Sequence, residues 1–172
     1  MSNTIPYEIT GARGEIEFRR YPAVVLATVA STGGNDGFNL LFAYITGKNA
    51  AQNNISMTSP VITSQQIAMT SPVVTDAASM SFVMPPGTIQ DEIPEPLDNR
   101  VQISTIPARE VAVIRFSGYA RKGKVAATEV RLREGLKKAG IEPLGELFLM
   151  RYNPPWTLGF LRRNEVGLEI KR

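Results

Sequence analysis

The feature of the sequence that most limits its fold is one order of elements that occurs twice. In each half a strand, a proline-containing turn, a second strand, a loop and a helix follow one another, and further strands complete the half. Each helix must lay its apolar side on a sheet, and neither half has enough apolar residues for a core of its own. The order therefore predicts a single α+β domain over residues 1–172, with internal repeats at about 7–84 and 100–172 and a crossing at 85–99.

The first repeat begins with two predicted strands and a short helix. Apolar residues alternate with charged ones up to Tyr21, Pro22 forms the turn, and residues 23–29 are then nearly all apolar. Asp36 is suited to the N-cap of a helix that ends near Gly47, because its side chain can accept a hydrogen bond from the first turn.

This short helix carries more apolar surface than one buried face requires. Four residues at i, i+3, i+4 and i+7 form one apolar face: Phe38, Leu41, Phe42 and Ile45. Such a face most simply packs on a sheet. Leu40 and Tyr44, four residues apart, add a second apolar strip, and we expect a loop, a partner subunit or a flat ligand to cover it.

A shorter repeat lies within the first half. Residues 55–62 read Ile-Ser-Met-Thr-Ser-Pro-Val-Ile, and residues 67–74 read Ile-Ala-Met-Thr-Ser-Pro-Val-Val. Two matched runs joined by residues 63–66 predict a hairpin, and the proline inside each run predicts an edge position or a bulge. Met57 and Met69 are more simply core residues than thioether ligands.

The second half follows an acidic segment at 85–98 whose four prolines exclude a regular strand. The pattern then predicts strands at 101–106 and 111–116 and a longer helix from about Lys124 to Ala139. Two further strands, near 146–152 and 165–170, complete the chain.

The chain has no histidine and no cysteine. Their absence excludes a Ser-His-Asp mechanism, a cysteine nucleophile, a thiolate zinc site and an imidazole ligand to haem iron. No pair of carboxylates falls on one face of a predicted element near the first helix, so acid–base hydrolysis has no candidate residues. The sequence therefore predicts no catalytic and no metal-ligating residue, and it favours a binding protein over an enzyme.

The net charge of +3 does not by itself indicate a nucleic-acid partner. Seven of the 19 Lys and Arg residues lie between Arg121 and Lys138, which is typical of the solvated side of a helix, and no recognition motif accompanies them. The first ten residues lack the pattern of a secretion signal, and no apolar run is long enough for a membrane span. We therefore expect a cytoplasmic protein that does not bind nucleic acid.

A set of short motifs runs in one order across nearly the whole chain: residues 7–9, 16–21, 37–49, both Met-Thr-Ser-Pro-Val copies, 82–85, 152–155 and 162–166. In this set and order the sequence resembles the SOUL haem-binding protein family. The resemblance implies a distorted β-barrel of two pseudo-symmetric halves, each with a helix packed on the outside, similar to GyrI-like small-molecule-binding domains.

The resemblance also implies that haem or another tetrapyrrole binds in an apolar groove between the first helix and the loop after Tyr-Asn-Pro-Pro. The corresponding residues of this chain are Phe38, Leu41, Phe42, Tyr44 and Ile45 on the helix, Trp156 in the loop, and Lys48 and Arg162 as cations for the propionates. Ala43 and Thr157 stand where animal haem-binding members carry basic residues, and no histidine is present as an axial ligand. Binding is therefore expected to be weak and to rest on apolar contact.

Two positions have a structural and a functional interpretation. Trp156 is either tucked under its loop or available as a ring-stacking platform, with equal weight. Glu165 is expected to form a hydrogen-bonded corner with Arg19 or Arg20, a structural role that we favour over a place in the site. Arg162 and Arg163 are adjacent, so only one of them can point into a pocket.

The sequence thus favours a protein that takes up a planar hydrophobic molecule, haem or a related porphyrin, for buffering or transfer. One alternative is an enzyme that acts on a tetrapyrrole or on another apolar small molecule. The other is a module without a small ligand, whose apolar strip is covered by a protein partner.

Overall fold

The computed structural model describes residues 3–31, 36–66, 77–153 and 156–171. The chain forms two compact units. Unit 1 comprises Met1–Ile5 and Ala23–Pro107, and unit 2 comprises Pro6–Pro22 and Ala108–Arg172. A segment from near the start of the chain therefore belongs to the same unit as the C-terminal third.

The elements follow one another in this chain order: β1 (Asn3–Thr4), β2 (Glu8–Arg13), β3 (Ile16–Tyr21), β4 (Val24–Ser31), α1 (Asp36–Ile45), β5 (Thr58–Gln66), β6 (Ala77–Val83), β7 (Gln102–Ile106), β8 (Arg109–Ser117), α2 (Lys122–Lys138), β9 (Pro143–Arg151) and β10 (Arg163–Ile170). Short 3-10 helices lie at Gln90–Glu92 and Gly159–Leu161. The two α-helices and seven of the strands lie where the hydrophobic periodicity or the matched runs predict an element. The periodicity therefore carries most of the information about local structure.

The sheet of unit 1 has the strand order β1-β5-β6-β4-β7. The short β1 runs parallel to β5, and the other pairs are antiparallel. Helix α1 packs on β4 and β6. Its core face consists of Leu41, Tyr44 and Ile45, which are buried against alternate residues of β4 and against Phe82. Each such large apolar side chain contributes about 1.5–3 kcal/mol of stability on burial.

The sheet of unit 2 has the order β2-β3-β8-β10-β9, and all of its pairs are antiparallel. Helix α2 packs on β8, β9 and β10 through Thr128, Leu132 and Leu136, which repeat every four residues. Gly135 lies on the same side, and a Cβ atom there would come within 2.3 Å of Cδ1 of Ile16. Glycine at this position therefore allows the helix to approach β3 closely.

The predicted distorted β-barrel is wrong in one respect, because the strands do not close into a barrel. Among the described residues, β7 pairs only with β4 and β2 pairs only with β3, so these two end strands do not meet. Closure needs full ladders at both ends of the strand order. The end strand β2 is interrupted by a bulge between Ile9 and Gly11, and the end strand β7 has only five residues. The architecture is α+β, with one helix packed on strands in each unit.

The hairpin predicted between the two Met-Thr-Ser-Pro-Val copies is also different. Residues 63–66, predicted as the turn, are strand, and β5 pairs with β6 at Ala77–Val83. The sequence Thr-Ser-Gln-Gln has no Gly, Pro, Asn or Asp to end a strand, so the ladder continues through it. The bulge predicted at the first proline is confirmed between Thr58 and Val61. The second copy, with Met69, lies outside the described residues.

Met57 is not the core residue that the sequence predicts. It lies directly before β5 and is 40% exposed. Only within the strand does the chain alternate regularly between a buried and a solvent-facing side, so a residue before its start is not directed into the core.

Candidate functional site

The five predicted ligand contacts on α1 lie on two sides of the helix. Leu41, Tyr44 and Ile45 are buried in the core of unit 1. Phe42 is 47% exposed, and its ring stacks on that of the half-buried Phe38 with centroids 5.9 Å apart and an angle of 12° between the planes. Phe42 is therefore the member of this set that a ligand approaching from solvent reaches most readily.

The second apolar strip of α1 is covered at Tyr44 by the proline-rich segment. The hydroxyl of Tyr44 donates a hydrogen bond to the carbonyl oxygen of Pro94 at 2.6 Å, and Ile93 packs against the same core. Burial raises the pKa of Tyr44. Of the three covers that the sequence allows, the structure has a loop at this position.

A turn built around the fully buried Asn49 holds the proline-rich segment at the end of α1. Its side-chain amide donates to the carbonyl oxygens of Tyr44 at 2.9 Å and of Asn53 at 2.7 Å. The backbone amide of Ala50 donates to the carbonyl of Glu95 at 2.9 Å. These bonds satisfy the polar groups that follow the helix, so the loop has a defined position beside it.

A cleft of about 890 Å³ opens beside α1 within unit 1. One wall is the helix face at i, i+3, i+4 and i+7, and the other is the segment 96–101; the lining is Asp36, Asn39, Leu40, Ala43, Tyr44, Lys48, Pro96, Leu97, Asp98, Asn99, Arg100 and Val101. Ala43 has the smallest side chain on the helix wall and leaves room there. The cleft thus combines an apolar surface with charged groups, as ligand pockets do.

The charges in this cleft are not equally available. Arg100 binds Asp98 through two hydrogen bonds of 3.0 and 2.7 Å, and this pairing lowers the pKa of Asp98 to about 2. Lys48 is exposed and has no ion pair among the described residues. Lys48 is therefore the cation of the cleft that is most available to an anionic group.

Unit 2 contains a buried ionic network around Glu165. Both carboxylate oxygens accept hydrogen bonds from Arg19, at 2.7 and 2.9 Å, and one oxygen also accepts from Arg163 at 2.7 and 3.0 Å. The hydroxyl of Tyr152 donates to Glu165 at 2.8 Å, and Arg19 donates to the hydroxyl of Tyr21 at 2.9 Å. The predicted corner between Glu165 and an arginine is confirmed, and the partner is Arg19.

Electrostatics keep this network charged. Burial alone raises the pKa of Glu165, but the hydrogen bonds and charges of Arg19 and Arg163 outweigh it and lower the pKa. Burial and the neighbouring carboxylate raise the pKa of Tyr152, so its hydroxyl remains a donor. Glu17 accepts two further bonds from Arg19, at 2.7 and 3.0 Å, so two carboxylates balance two guanidinium groups.

Arg162 and Arg163 point to different surroundings, as their adjacency predicts. Arg163 serves the Glu165 network. The Nε atom of Arg162 donates to the carbonyl of Thr157 at 2.8 Å, and its guanidinium lies 4.7 Å from the ring centroid of Tyr119. Trp156, in the loop before Arg162, is 83% exposed, so the tucked interpretation is wrong and the indole faces solvent.

Comparison with known proteins identifies the family. The family model described as SOUL heme-binding protein matches residues 2–169, nearly the whole chain. The protein belongs to the SOUL heme-binding protein family. No curated protein matches this SOUL-family sequence.

Solved structures share the fold at low sequence identity. The C-terminal domain of EcmrR has a TM-score of 0.63 at 8% identity, and the match covers 96% of this chain and 98% of that chain. An uncharacterized conserved protein from Listeria innocua has a TM-score of 0.65 at 11% identity, with 91% and 92% covered. SAV2435, solved bound to tetraphenylphosphonium, has a TM-score of 0.51 at 10% identity, with 92% and 94% covered. At these identities the likeness establishes the fold alone.

The donor groups of this SOUL-family protein limit how a metal can be held. Among the described residues, no group of three or more acidic, His or Cys side chains is placed to hold a metal ion. At the cleft the hydroxyl of Tyr44 is already engaged with Pro94. In the described part of the chain, no helix combines the length and apolar character that crossing a membrane requires.

Several residues of these surfaces have no signal in the sequence. Leu97 and Arg100 line the cleft. Leu97 lies in the acidic, proline-rich segment and Arg100 lies just after it, and the composition of this segment predicts a solvated loop. Arg121 and Arg151 approach Arg162 from separate elements, which single-sequence patterns do not relate. The sequence predicts Phe42 on the packed face of the helix and Tyr44 on the second strip, but Phe42 is exposed and Tyr44 is buried. Tyr44 is covered by Pro94, which lies 50 positions further along the chain, so no local pattern relates the two residues.

Proposed function

We propose that this protein binds a flat apolar molecule with carboxylate groups, of the haem and porphyrin class, in the cleft beside α1, and buffers or transfers it. The observation that carries the proposal is the open cleft of about 890 Å³, in which Leu40, Ala43 and Leu97 offer apolar surface and Lys48 offers a cation. Membership of the SOUL heme-binding family supports small-molecule binding.

The charge of the cleft is mixed, and Lys48 is the group that can attract an anionic ligand. Asp36 also lines the cleft, but it is exposed and therefore attracts a lipophilic cation less than a buried carboxylate would. SAV2435 binds tetraphenylphosphonium, so one protein of this fold accommodates a bulky aromatic cation. A buried carboxylate is the group that attracts such a ligand, since a charge is worth most where water is excluded. Among the described residues the carboxylate that is fully buried is Glu165, which Arg19 and Arg163 already neutralise. Lys48 instead offers a positive charge at the cleft.

The residues of the cleft fit the ring of a tetrapyrrole better than its metal. Apolar contact and one cation suit a macrocycle with propionates, and burial of apolar area supplies about 25 cal/mol per Å². The chain has no His or Cys to ligate iron, and the hydroxyl of Tyr44 donates to Pro94. Bound haem supplies redox chemistry through its iron, whereas the residues of this chain bind and orient the ring. A buffering or transfer role follows more directly from this donor set than catalysis.

Titration with hemin and with metal-free protoporphyrin tests the proposal. Wild-type protein is expected to bind both rings with affinities equal within about threefold, because the contacts are made to the macrocycle. Lys48→Glu should weaken both by about tenfold, since it replaces an attraction to the propionates by a repulsion. Lys138→Glu makes the same charge change at the end of α2 and serves as the control.

Two results would contradict the proposal. One is a strong preference for hemin over the metal-free ring, which would require an iron ligand that the cleft lacks. The other is equal binding by Lys48→Glu and Lys138→Glu, which would remove the cleft from the site.

The remaining features of the expected function do not rest on this cleft. Trp156 and Arg162, predicted as ligand contacts, lie in unit 2 and do not line the cleft beside α1. A cytoplasmic location and the absence of a nucleic-acid partner stay predictions from the sequence.

A further inference from the structure

A second cavity, of about 470 Å³, lies within unit 2 and has a different chemical character from the cleft of unit 1. Its lining consists of Tyr119, Ala120, Arg121, Arg151, Asn153, Arg162 and Asn164. Three arginines therefore line one cavity, and none of the lining residues that the structure describes is acidic. Its volume is in the range of small-molecule sites.

The fold assembles these groups from three places. Arg151 ends β9 and lies opposite Asn164 of β10, so the two side chains share one face of the sheet. Tyr119 and Arg121 belong to the turn that leads into α2, and Asn164 donates to the carbonyl of Gly118 at 2.7 Å, which holds this turn against the strand. The alternation along β10 directs Glu165 to the other face, where it serves its own network.

Arg121 and Arg151 bring positive charge to this cavity. In the described part of the chain, no carboxylate forms an ion pair with Arg121 or Arg151. Desolvation and repulsion from Arg162 lower the pKa of Arg151. Because Arg162 is held by Thr157 and Tyr119, it cannot move away without losing these contacts. A bound oxyanion would relieve the repulsion.

The helix that begins at the cavity adds to the positive potential. Arg121 is the N-cap of α2, no side chain caps its amides, and the first turn contains no acidic residue. The partial positive charge of a helix N-terminus therefore acts in the same direction as the three guanidinium groups.

An exposed apolar loop borders the cavity. Four large side chains directly before Arg162 face solvent: Trp156, Leu158, Phe160 and Leu161. The backbone of this loop touches the ring of Tyr119, because a Cβ atom on Gly159 would lie 2.5 Å from Cε2 of Tyr119. A small inorganic anion leaves this apolar surface unused, whereas a molecule with an anionic head and an apolar body can use both.

We infer that the cavity of unit 2 binds the phosphate or carboxylate head of a soluble amphiphilic molecule, with its apolar body against the loop at 156–161. Guanidinium groups bind the oxygens of such heads through pairs of parallel hydrogen bonds. The arginines line a concavity into which one head group enters, which suits a single molecule better than a membrane surface. This site involves a different unit from the cleft beside α1 and does not depend on the proposed porphyrin binding.

Calorimetric titration with dodecyl phosphate, kept below its micelle concentration, tests the inference. Wild-type protein should bind it about tenfold or more tightly than inorganic phosphate, because the apolar chain adds buried area. Arg151→Gln should weaken binding of dodecyl phosphate by about tenfold or more, since it removes a charge-assisted contact. Arg131→Gln, which changes an exposed arginine of α2, should keep the wild-type affinity within about twofold.

Further variants separate a lost contact from a lost fold. Arg151 supports no ion pair among the described residues, so Arg151→Gln should keep the wild-type unfolding midpoint. Arg121→Gln, at the N-cap of α2, is a second variant in case the first is unstable, and it should also weaken binding. Lys48→Glu should leave binding of dodecyl phosphate unchanged, which distinguishes this site from the cleft of unit 1.

Four results would overturn the inference. Arg151→Gln and Arg121→Gln could both bind like Arg131→Gln, which would remove the guanidinium groups from the site. Uncharged dodecyl maltoside could bind as tightly as dodecyl phosphate, which would mean that the anionic head is not recognised. Inorganic phosphate could bind as tightly as dodecyl phosphate, which would mean that the apolar loop is not used. Finally, the protein could sediment with vesicles that contain phosphatidylglycerol, and not with pure phosphatidylcholine, while failing to bind monomeric dodecyl phosphate.

Discussion

Units 1 and 2 are built on one plan, five strands with one helix, yet they bury different groups. In unit 1 the buried polar residues among those described are uncharged: Asn49, Thr58 and Ser81. In unit 2 Arg19 and Glu165 are almost completely buried. A repeated order of elements therefore fixes how helix and sheet pack, but it leaves the chemistry of each unit free.

The two units also place their accessible charge differently. The cleft of unit 1 has mixed charge, and part of it is used within the pair Arg100–Asp98. The cavity of unit 2 is lined by three arginines and, among the described residues, by no acid. The following predictions test whether the stability of the units differs in the same way as their chemistry.

The largest effect is expected from the ionic network of unit 2. Glu165→Gln leaves two guanidinium groups buried without their shared carboxylate, and it should lower the free energy of unfolding by about 3–5 kcal/mol. Glu8→Gln, which breaks the exposed pair with Arg20, should lower it by less than about 1 kcal/mol. Urea denaturation followed by circular dichroism measures both. Equal effects would mean that the buried network does not stabilise unit 2.

The apolar core of unit 1 should show the next largest effect. Leu41→Ala removes a fully buried side chain of α1 and should cost about 2–5 kcal/mol. Phe42→Ala, on the solvent-facing side of the same helix, should cost less, about 1 kcal/mol. Thermal unfolding of the two variants compares them directly. A larger loss in Phe42→Ala would place the core on the wrong face of α1.

The network should also make stability depend on pH. The pKa of Glu165 is lowered in the folded state, so its contribution is present above the ordinary value of 4.5 and is lost as the pH falls through the lowered pKa. Urea midpoints of wild-type protein should therefore fall as the pH is lowered below this value. Glu165→Gln should lack this part of the decrease. An identical pH profile for both proteins would show that Glu165 does not titrate with unfolding.

A smaller effect is expected where α2 approaches β3. Gly135→Ala places a Cβ atom against Ile16, and it should destabilise unit 2 by about 1–3 kcal/mol. Gly123→Ala is a matched control in the same helix, because a Cβ atom there meets nothing within 4 Å. This control should stabilise the protein by about 0.5–1 kcal/mol. If both variants gain stability, the close contact between helix and strand is absent.

The smallest effect on stability should come from Trp156. Because 83% of this residue is exposed, Trp156→Ala should change the free energy of unfolding by less than about 0.5 kcal/mol. The affinity for protoporphyrin should stay within about twofold of the wild-type value, because Trp156 does not line the cleft beside α1. Titration of the folded variant measures this. A loss of about tenfold would instead place the ring on the indole.

The sequence predicts the elements well because each one has its own periodicity. The alternation before Tyr21 and the four-residue spacing of Leu132 and Leu136 are local properties, and the structure has a strand and a helix there. Glu165 could be paired with an arginine in advance, because a buried carboxylate requires a partner. Arg19 rather than Arg20 pairs with Glu165 because Arg19 lies on the side of β3 opposite to the core residues Ile16 and Phe18, whereas Arg20 is exposed.

What the sequence does not predict depends on contacts between distant segments. Tyr44 is removed from solvent by the proline-rich segment, whose Pro94 carbonyl accepts a hydrogen bond from the hydroxyl of Tyr44. The arginine cavity joins Arg121, Arg151 and Arg162, and no local pattern links these three positions. The two-residue strand β1 has no signature of its own in the sequence.

The division of the chain between the units has a consequence for the order of events during synthesis on the ribosome. Strand β3 pairs with β8, and Arg19 binds a carboxylate that is translated 146 residues later. The long segment between them completes nearly all of unit 1 first, while the early hairpin waits for its partner strands. An arrest of translation before β10 would leave Arg19 without Glu165, so the nascent hairpin has to remain soluble until nearly the last residue is added.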